Sequence, residues 1–320
     1  MIKPIAVIAG EPNSISSEII FKSWILKNQF KNKKIFVIGN IDLLKKQKKK
    51  LNYKIKLKKI DKTFTIKNLS GNELPVYNVN FNQTKAFEHI SSKSNNYIFK
   101  CFDIGIDLAR TKRIQGLINC PVSKETLFKN SDFGITEFMS KKFGVNNKEV
   151  MLIYNKKLAV APLTTHIGIS KVSKNINKIK IINKIKLINS FYYNFLKKRP
   201  KIAVLGLNPH NHSKSKKPEE KTIIKAITIL KKNKINVHGP ISADSSFVNY
   251  KENKYDVIFG MYHDQVLTPF KALFKYDAIN ITLGLPLIRI SPDHGTASNI
   301  IGKKIAKPTS LIQAIKFFKK

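Results

Sequence analysis

The chain has 320 residues, of which 42% are hydrophobic, so it can bury a substantial core in one or two α/β domains. No apolar run approaches the roughly 18 residues that a membrane-spanning helix needs, so we expect no membrane contact. The 59 Lys and Arg residues against 20 Asp and Glu give a formal charge of +39, which raises the question of a nucleic-acid partner.

The basic residues are spread along the whole chain and do not form one patch with interleaved aromatic residues. The densest run, residues 45–59, is typical of an exposed helix end followed by an alternating strand. Lys, Ile, Asn and Phe are abundant together, and all use AT-rich codons, which favours compositional drift as the origin of the charge. We therefore expect no nucleic-acid partner, although the positive field would attract a phosphorylated substrate.

The two cysteines, Cys101 and Cys120, form neither a CxxC pair nor a disulfide framework. The apolar start of the chain is interrupted at Glu11 and Pro12, which is too early for a signal peptide and fits a first strand. Both observations fit a reducing compartment, so the expected location is the cytoplasm.

Apolar strand segments alternate with amphipathic helical segments along most of the chain. The strand segments, in order, lie within residues 5–10, 34–40, 116–124, 157–166, 201–210 and 256–260. Helices are predicted from about Ser16, through residues 99–110, from Ile176 to a stop at Pro200, and through residues 220–231. In the third helix we expect one buried face to consist of Ile176, Ile179, Ile182, Ile185 and Ile188.

This alternation predicts an α/β fold with an open, largely parallel sheet and helices on both faces. Neither G-x-G-x-x-G after the first strand nor G-x-x-x-x-G-K-[ST] occurs, which disfavours a Rossmann nucleotide fold and a P-loop kinase.

Three histidines follow strand segments in equivalent positions: His166, His210 and His263. Ligands bind outside the carboxyl ends of strands in open α/β sheets, so three imidazoles there predict a site for Zn²⁺, Co²⁺ or Mn²⁺. His212 is an alternative to His210, which is preferred because it stands nearer its strand. Asp264 would orient a metal-ligating histidine through a hydrogen bond.

Lys271, Asn280 and Arg289 follow at nine-residue intervals within apolar sequence. Arg289 could bind a carboxylate or phosphate through two parallel hydrogen bonds, and Asn280 could hold a hydroxyl or phosphate oxygen. Because buried charges are costly unless they are paired or used, the pattern predicts a small, anionic, oxygen-rich substrate.

Together, these motifs resemble the family of 4-hydroxythreonine-4-phosphate dehydrogenases of pyridoxal 5'-phosphate (vitamin B6) biosynthesis. The resemblance rests on MYHDQ, on NITLGLPLIRISPDHGTA with its spaced Lys, Asn and Arg, and on GLNPH, TTH and CPVSK. It extends from the first strand to the last helix and is strongest over residues 256–306.

The resemblance implies an isocitrate/isopropylmalate-dehydrogenase-like fold of two α/β/α domains around a cleft. We place these domains at residues 1–125 with 265–320 and at residues 126–264. It also implies a homodimer with a shared active site, NAD or NADP bound without a Rossmann fingerprint, and a divalent Zn, Mg, Co or Mn ion.

Matching of the motifs implies that the metal ligands are His166, His210 and His263. One of the three is expected to come from the partner subunit. The substrate-binding roles fall on Thr136, Lys271, Asn280 and Arg289, and the proton-transfer candidates are Lys271 and Asp264. The implied reaction oxidises 4-phosphooxy-L-threonine to 2-amino-3-oxo-4-phosphooxybutanoate, which loses CO₂ to give 3-amino-2-oxopropyl phosphate.

The sequence departs from the family pattern at residues 134–137, which read GITE where the family usually has Gly-His-Thr-Glu. Ile135 therefore stands in place of a histidine that contacts the substrate in that family. Isoleucine cannot donate a hydrogen bond, so the substrate must be held there by other groups. The loop at residues 10–18 and the segment after His210 also lack the family's glycines.

Three alternatives stay open. A related dehydrogenase of threonate or erythronate 4-phosphate would use the same site, and a phosphate acyltransferase-like enzyme would not need three histidines on a metal. A basic nucleic-acid-binding protein would show steeply salt-dependent binding.

Overall fold

The computed structural model describes residues 3–129, 134–145, 149–209 and 217–318. The strands in these ranges are β1 (Ile5–Ile8), β2 (Ile35–Gly39), β3 (Leu57–Ile60), β4 (Leu74–Asn78), β5 (Gly116–Asn119), β6 (Val150–Tyr154), β7 (Ala159–Pro162), β8 (Ile202–Leu205), β9 (Val237–Ile241), β10 (Val257–Gly260), β11 (Ile279–Leu283) and β12 (Ile288–Pro292). The helices are α1 (Ser16–Ile25), α2 (Ile41–Lys50), α3 (Asn95–Arg110), α4 (Lys124–Phe128), α5 (Ile135–Phe143), α6 (Lys178–Phe191), α7 (Pro218–Lys232), α8 (Ala243–Val248), α9 (His263–Phe274) and α10 (Thr309–Phe317).

The chain divides into two compact units, Met1–Ser131 with Leu287–Lys320 and Asp132–Pro286. The domain boundaries expected from the sequence, 1–125 with 265–320 and 126–264, remain a prediction. They differ from these units chiefly at residues 265–286, which belong to the second compact unit.

In the first unit, six strands lie in the order β3-β4-β2-β1-β5-β12, and every neighbouring pair is parallel. All residues of β1 and β2 are buried and nearly all are apolar, as expected for inner strands of a parallel sheet. Helix α3 packs on β1, β2 and β5, and α10 packs on β12.

In the second unit the strand order is β11-β6-β7-β10-β8-β9. Strands β7, β10, β8 and β9 are parallel, whereas β6 runs antiparallel to both of its neighbours, β11 and β7. A core of buried apolar residues, which includes Val160, Ala203, Ile258 and Phe270, fills one side of this sheet. The predicted α/β fold with a largely parallel sheet is confirmed.

The isoleucine face predicted for the third helical segment of the sequence, which forms α6, is wrong in part. Helix α6 buries Ile181, Ile182, Ile185 and Ile188, but Ile179 is 62% exposed. A three-residue spacing drifts around a helix of 3.6 residues per turn, so five such positions cannot share one face. The helix begins after Asn177, whose side chain accepts hydrogen bonds from the first backbone N–H groups.

Candidate active site

Strands β7, β10 and β8 are adjacent and parallel, and each leads into a segment that carries a predicted metal-ligating histidine. In the strand register Gly260 lies opposite Pro162, and Phe259 lies opposite Val204, so the three strands end together. Open α/β sheets bind ligands at such carboxyl ends. The three strands that precede the histidines therefore end at one edge of the sheet, and the metal-ligating roles of the histidines remain a prediction.

His166 and His263 lie close together at this edge, with their ring centroids 6.1 Å apart. His263 is the first residue of α9, directly after β10. The Thr164 hydroxyl donates to the Met261 carbonyl at 2.8 Å, which keeps the segment after β7 beside the end of β10. This contact between the two segments thus helps to bring the two imidazoles together.

Asp264 contacts the neighbouring imidazole, as the sequence predicted for an orienting carboxylate. Its Oδ1 lies 2.7 Å from His263 Nδ1, and the side chains are 78% and 35% exposed, respectively. With Nδ1 engaged by the carboxylate, Nε2 of His263 is the nitrogen that can bind a metal.

The third predicted ligand, His210, and its alternative, His212, lie outside the described residues. The described segment that leads towards them is fixed by the fully buried Glu220. Its Oε1 accepts hydrogen bonds from the backbone N–H groups of Leu207 and Asn208 at 3.1 and 3.0 Å, and from Asn208 Nδ2 at 3.0 Å. Charge-assisted bonds of this kind set the direction in which the chain leaves β8.

Gln265 joins the ends of two of these strands. Its Oε1 accepts from Met261 N at 2.7 Å, and its Nε2 donates to the Gly206 carbonyl at 2.7 Å. The side chain is buried, so both hydrogen bonds form away from water. Gln265 therefore holds the end of β10 beside the end of β8.

Within the described ranges, no group of three or more His, Cys, Asp and Glu side chains is placed to hold a metal ion. The pair His166 and His263 nevertheless suits one. Metal–imidazole bonds are about 2.0–2.1 Å long, so the two rings, with centroids 6.1 Å apart, are within reach of a shared ion. Two imidazoles favour a borderline divalent cation.

The amino end of α5 lies beside His166. A Cβ atom on Gly134 would be 3.7 Å from His166 Cε1, and Gly134 N donates to Glu137 Oε2 at 2.9 Å. The hydroxyl of Thr136 lies 3.4 Å from that of Thr282 in β11. Backbone N–H groups at a helix start, together with a threonine hydroxyl, form a suitable site for a phosphate or carboxylate.

Asn280 lies two residues before Thr282 in β11, so both side chains are on the same face of the strand. Its Oδ1 is buried and has no hydrogen-bond partner within the part of the chain that the structure describes. A buried polar atom without a partner costs free energy, so a bound hydroxyl group that donates to it would be stabilised.

Ile135, which replaces the family's histidine, is the first residue of α5 and only 4% exposed. The side chain packs in the interior of the second unit and presents no polar atom to a ligand. An anion at this helix start would therefore depend on the backbone N–H groups and on Thr136.

Lys271 belongs to the same helix as His263. It lies eight residues after His263 on α9, which corresponds to about 12 Å along the helix axis. Its Nζ is 6.0 Å from the ring centroid of Tyr276. The role of Lys271 in catalysis and substrate binding remains a prediction.

Arg289 belongs to the first unit and is 3% exposed in β12. Its Nε donates to Asn119 Oδ1 at 2.7 Å, across the neighbouring strand β5. This bond holds the guanidinium at the sheet of the first unit, and its role in substrate binding also remains a prediction.

Sequence reasoning missed the positioning roles of Gln265, Glu220, Glu137 and Thr282. Gln265 and Glu220 stand next to recognisable motifs, in HDQ after β10 and in PEE at the start of α7. Their partners are backbone groups in the segments that directly follow β10 and β8, and no side-chain pattern in the sequence identifies them. Among the described residues, no helix is long and apolar enough to cross a membrane.

Comparison with known proteins connects this site to one family. The family model described as the pyridoxal phosphate biosynthetic protein PdxA matches residues 31–318. The chain is 34% identical over 318 residues to the 4-hydroxythreonine-4-phosphate dehydrogenase of Sulfurihydrogenibium sp. (strain YO3AOP1), covering 97% of this chain and 96% of that protein. It is 30% identical over 321 residues to the D-threonate 4-phosphate dehydrogenase of Salmonella typhimurium (strain LT2), covering 98% and 97%.

Among solved structures, the 4-hydroxythreonine-4-phosphate dehydrogenase of Klebsiella pneumoniae matches with a TM-score of 0.82 at 28% identity and covers 98% of each chain. An isocitrate dehydrogenase from Methylococcus capsulatus matches with a TM-score of 0.50 at 10% identity, covering 98% of this chain and 84% of that one. The second likeness concerns the fold alone, and it agrees with the predicted fold class.

Proposed function

The chain belongs to the family of the pyridoxal phosphate biosynthetic protein PdxA, and from that premise we propose that it oxidises 4-phosphooxy-L-threonine with a nicotinamide cofactor and a divalent metal ion. The product, 2-amino-3-oxo-4-phosphooxybutanoate, is a β-keto acid that loses CO₂ to give 3-amino-2-oxopropyl phosphate. The observation that carries the proposal is the pairing of His166 with His263 at the carboxyl ends of adjacent parallel strands.

His166, His210 and His263 would hold a Zn, Mg, Co or Mn ion, which when bound supplies Lewis-acid polarisation of the substrate oxygens. NAD or NADP, when bound, supplies the acceptor for the hydride that leaves the carbinol carbon. Asp264 keeps the tautomer and orientation of His263 fixed through its Nδ1.

The substrate phosphate and carboxylate would be bound by this chain's own polar groups. The start of α5 offers backbone N–H groups and the Thr136 hydroxyl beside His166, and Asn280 offers its unpaired Oδ1 to a donating group. Lys271 and Arg289 add two cations that match an anionic substrate. Lys271 or Asp264 would exchange the proton of the reacting hydroxyl.

We also propose a homodimer in which the partner subunit completes the active site. Lys271 is about 12 Å along α9 from His263, and next to it Leu273 and Tyr276 are 48% and 59% exposed. Large exposed apolar side chains are typical of surfaces that bind another chain. The proposed location remains the cytoplasm, because Cys101 and Cys120 are both free and buried.

The test is oxidation of 4-phosphooxy-L-threonine by the purified protein, followed as formation of NADH or NADPH, with each of the four metals and with a chelator. Metal-dependent turnover with loss of CO₂ supports the proposal. Absence of turnover with every metal and both cofactors overturns the assigned reaction.

D-Threonate 4-phosphate is the second candidate substrate. The relative from Salmonella typhimurium carries that name, and the apolar Ile135 alters the start of α5, where the substrate's oxygens would bind. Measuring kcat/KM for both compounds under identical conditions decides between them. A preference for D-threonate 4-phosphate would replace the first assignment and leave the site unchanged.

A further inference from the structure

A cavity of about 120 Å³ lies beside the start of β2 in the first unit. Open α/β sheets bind ligands at the opposite, carboxyl ends of their strands, so this cavity lies outside the expected binding edge. Its lining combines buried apolar side chains, which include Trp24 and Phe30, with basic ones. None of the described residues that line it is acidic, and the basic ones are Lys27, Lys31, Lys33 and Lys34. The cavity therefore has the charge that an anion requires.

The turn before β4 holds two of these lysines in place. Lys27 Nζ donates to the Gly71 carbonyl at 3.2 Å and to Asn72 Oδ1 at 2.9 Å. Lys34 Nζ donates to Ser70 Oγ at 3.0 Å. Gly71 has a φ of +109°, a backbone conformation that favours glycine, and this allows the turn. Three consecutive residues thus position both ammonium groups through neutral oxygens.

Both ammonium groups can bind an additional acceptor. An ammonium has three N–H donors, whereas these bonds occupy two on Lys27 and one on Lys34. Within the described ranges, neither lysine forms an ion pair with a carboxylate. Both side chains are half-buried, and positive charges that are partly removed from water repel each other more strongly than in free solution. An anion bound between them would therefore be stabilised.

Trp24 lies next to the same cations. Lys27 Nζ is 4.8 Å from the centroid of the Trp24 ring, and a cation–π attraction at this distance adds to the hydrogen bonds that position the ammonium. The indole Nε1 donates to the Asn72 carbonyl at 3.2 Å, which ties the ring to the same turn. Since the chain contains one tryptophan, its fluorescence reports on this cavity.

We propose that this cavity is a binding site for a phosphoryl group, either inorganic phosphate or the phosphate of a small ester. A cavity needs about 10–15 Å³ to hold one water molecule, so 120 Å³ leaves room for a phosphoryl group and a short substituent. The phosphoryl oxygens accept charge-assisted hydrogen bonds from Lys27 and Lys34. The site does not depend on the proposed reaction, because its residues all belong to the first unit and none has a part in that reaction.

The first test follows Trp24 fluorescence while inorganic phosphate, glycerol 3-phosphate or glycerol is added at constant ionic strength. Constant ionic strength removes the general screening effect of added salt on a basic chain. Both phosphate compounds are expected to give a saturable change, and glycerol is expected to give none. The phosphate compound with the lower Kd identifies the source of the phosphoryl group. Absence of a saturable change with either phosphate compound overturns the site.

The second test compares two double variants that remove equal charge. Lys27→Met with Lys34→Met removes the two positioned ammonium groups, and the control, Lys93→Met with Lys100→Met, removes two exposed lysines of the same unit. The first pair is expected to weaken phosphate binding at least about tenfold, because two charge-assisted hydrogen bonds are lost. The control pair is expected to keep Kd within about twofold. Equal weakening in both pairs would show a general attraction to the basic chain and would overturn the site.

Calorimetric titration measures the same Kd in these variants, because removal of Lys27 itself alters the surroundings of Trp24. Thr136→Val separates this site from the start of α5, and it should leave the Trp24 response unaltered, since Thr136 belongs to the second unit. A Trp24 response that disappears in Thr136→Val would assign the phosphate to the start of α5 and overturn the site. Because binding is the readout, failure to oxidise either candidate substrate leaves the result valid.

A single-stranded oligonucleotide is the last ligand to be added, because the chain has a formal charge of +39. We expect inorganic phosphate to compete with any Trp24 response that the oligonucleotide produces. A response to the oligonucleotide without a response to either small phosphate compound would assign the lysines to a nucleic-acid surface and overturn the small-ligand site.

Discussion

His166 and His263 approach each other to 6.1 Å between ring centroids, although they come from segments far apart in the sequence. Their strands, β7 and β10, are paired in parallel, with Pro162 opposite Gly260. The pair therefore depends on the strand register, and a change in either imidazole should affect one shared function. Metal binding is the function that these two side chains fit best.

Asp264→Asn should weaken metal binding about 10- to 100-fold, because the carboxylate that orients His263 Nδ1 is replaced by a neutral amide. The measurement is competition with a chelator of known affinity. Asp42→Asn is the matched control, since Asp42 is also highly exposed and pairs with Lys45 in the first unit. Equal metal affinity in Asp264→Asn and the unchanged protein would refute the orienting role.

A mixture of two inactive variants should regain activity if the active site is shared between subunits. We expect His166→Ala and Lys271→Ala to be inactive alone and to give about a quarter of full activity after unfolding and refolding together, by the arithmetic of random pairing in a two-fold dimer. Mass determination in solution checks that each variant is dimeric. No recovery from a verified mixed dimer would show that both residues serve the same site in one chain.

Asn280→Leu should weaken substrate binding without lowering the stability of the protein. The change removes a buried oxygen that has no partner among the described residues, so the free energy of unfolding should stay the same or rise by about 1 kcal/mol. KM for the phosphorylated substrate should rise, because the substrate loses its acceptor. A clear loss of stability in denaturant unfolding would show that Asn280 serves the fold.

Glu220→Ala should lower the free energy of unfolding by about 2–4 kcal/mol, because the partly buried N–H groups of Leu207 and Asn208 lose their acceptor. It should also weaken metal binding, since the segment towards His210 loses its anchor. Glu252→Ala, at an exposed position, is the control for loss of an acidic residue. Unchanged metal affinity in a folded Glu220→Ala protein would contradict the anchoring role.

The two buried thiols should make stability fall as the pH rises from about 9 to 10. Burial raises the pKa of Cys101 to about 12 and also raises the pKa of Cys120. The unfolded chain releases these protons near pH 8.5 while the folded chain retains them, so each thiol lowers stability by up to about 1.4 kcal/mol per pH unit.

Denaturant unfolding across that pH range measures this slope. Cys101→Ala should make the decline less steep by the contribution of one thiol, whatever its effect on stability at pH 7. In the folded protein, neither cysteine should react with a thiol reagent at pH 8. A decline of the same steepness in Cys101→Ala would contradict the assignment to the thiols.

Much of the fold follows from local patterns in the sequence. Inner parallel strands such as β1, β2 and β10 are short apolar runs because both faces are buried, and such runs can be recognised without the tertiary structure. The sequence alone also shows that His166 and His263 each follow such an apolar run. The three-residue isoleucine pattern led to a wrong prediction at Ile179. A helix with 3.6 residues per turn buries the residues on one face, and a three-residue spacing does not stay on that face.

The sequence by itself determined the α/β class, the strand ends that carry the histidines, and the resemblance to one enzyme family. These are properties of short segments and of their order. Only the tertiary structure decided that β10 lies between β7 and β8, that Thr136 meets Thr282, and that Gln265 reaches the Gly206 carbonyl. Such contacts join residues distant in the chain, and their formation depends on the register and packing of whole elements.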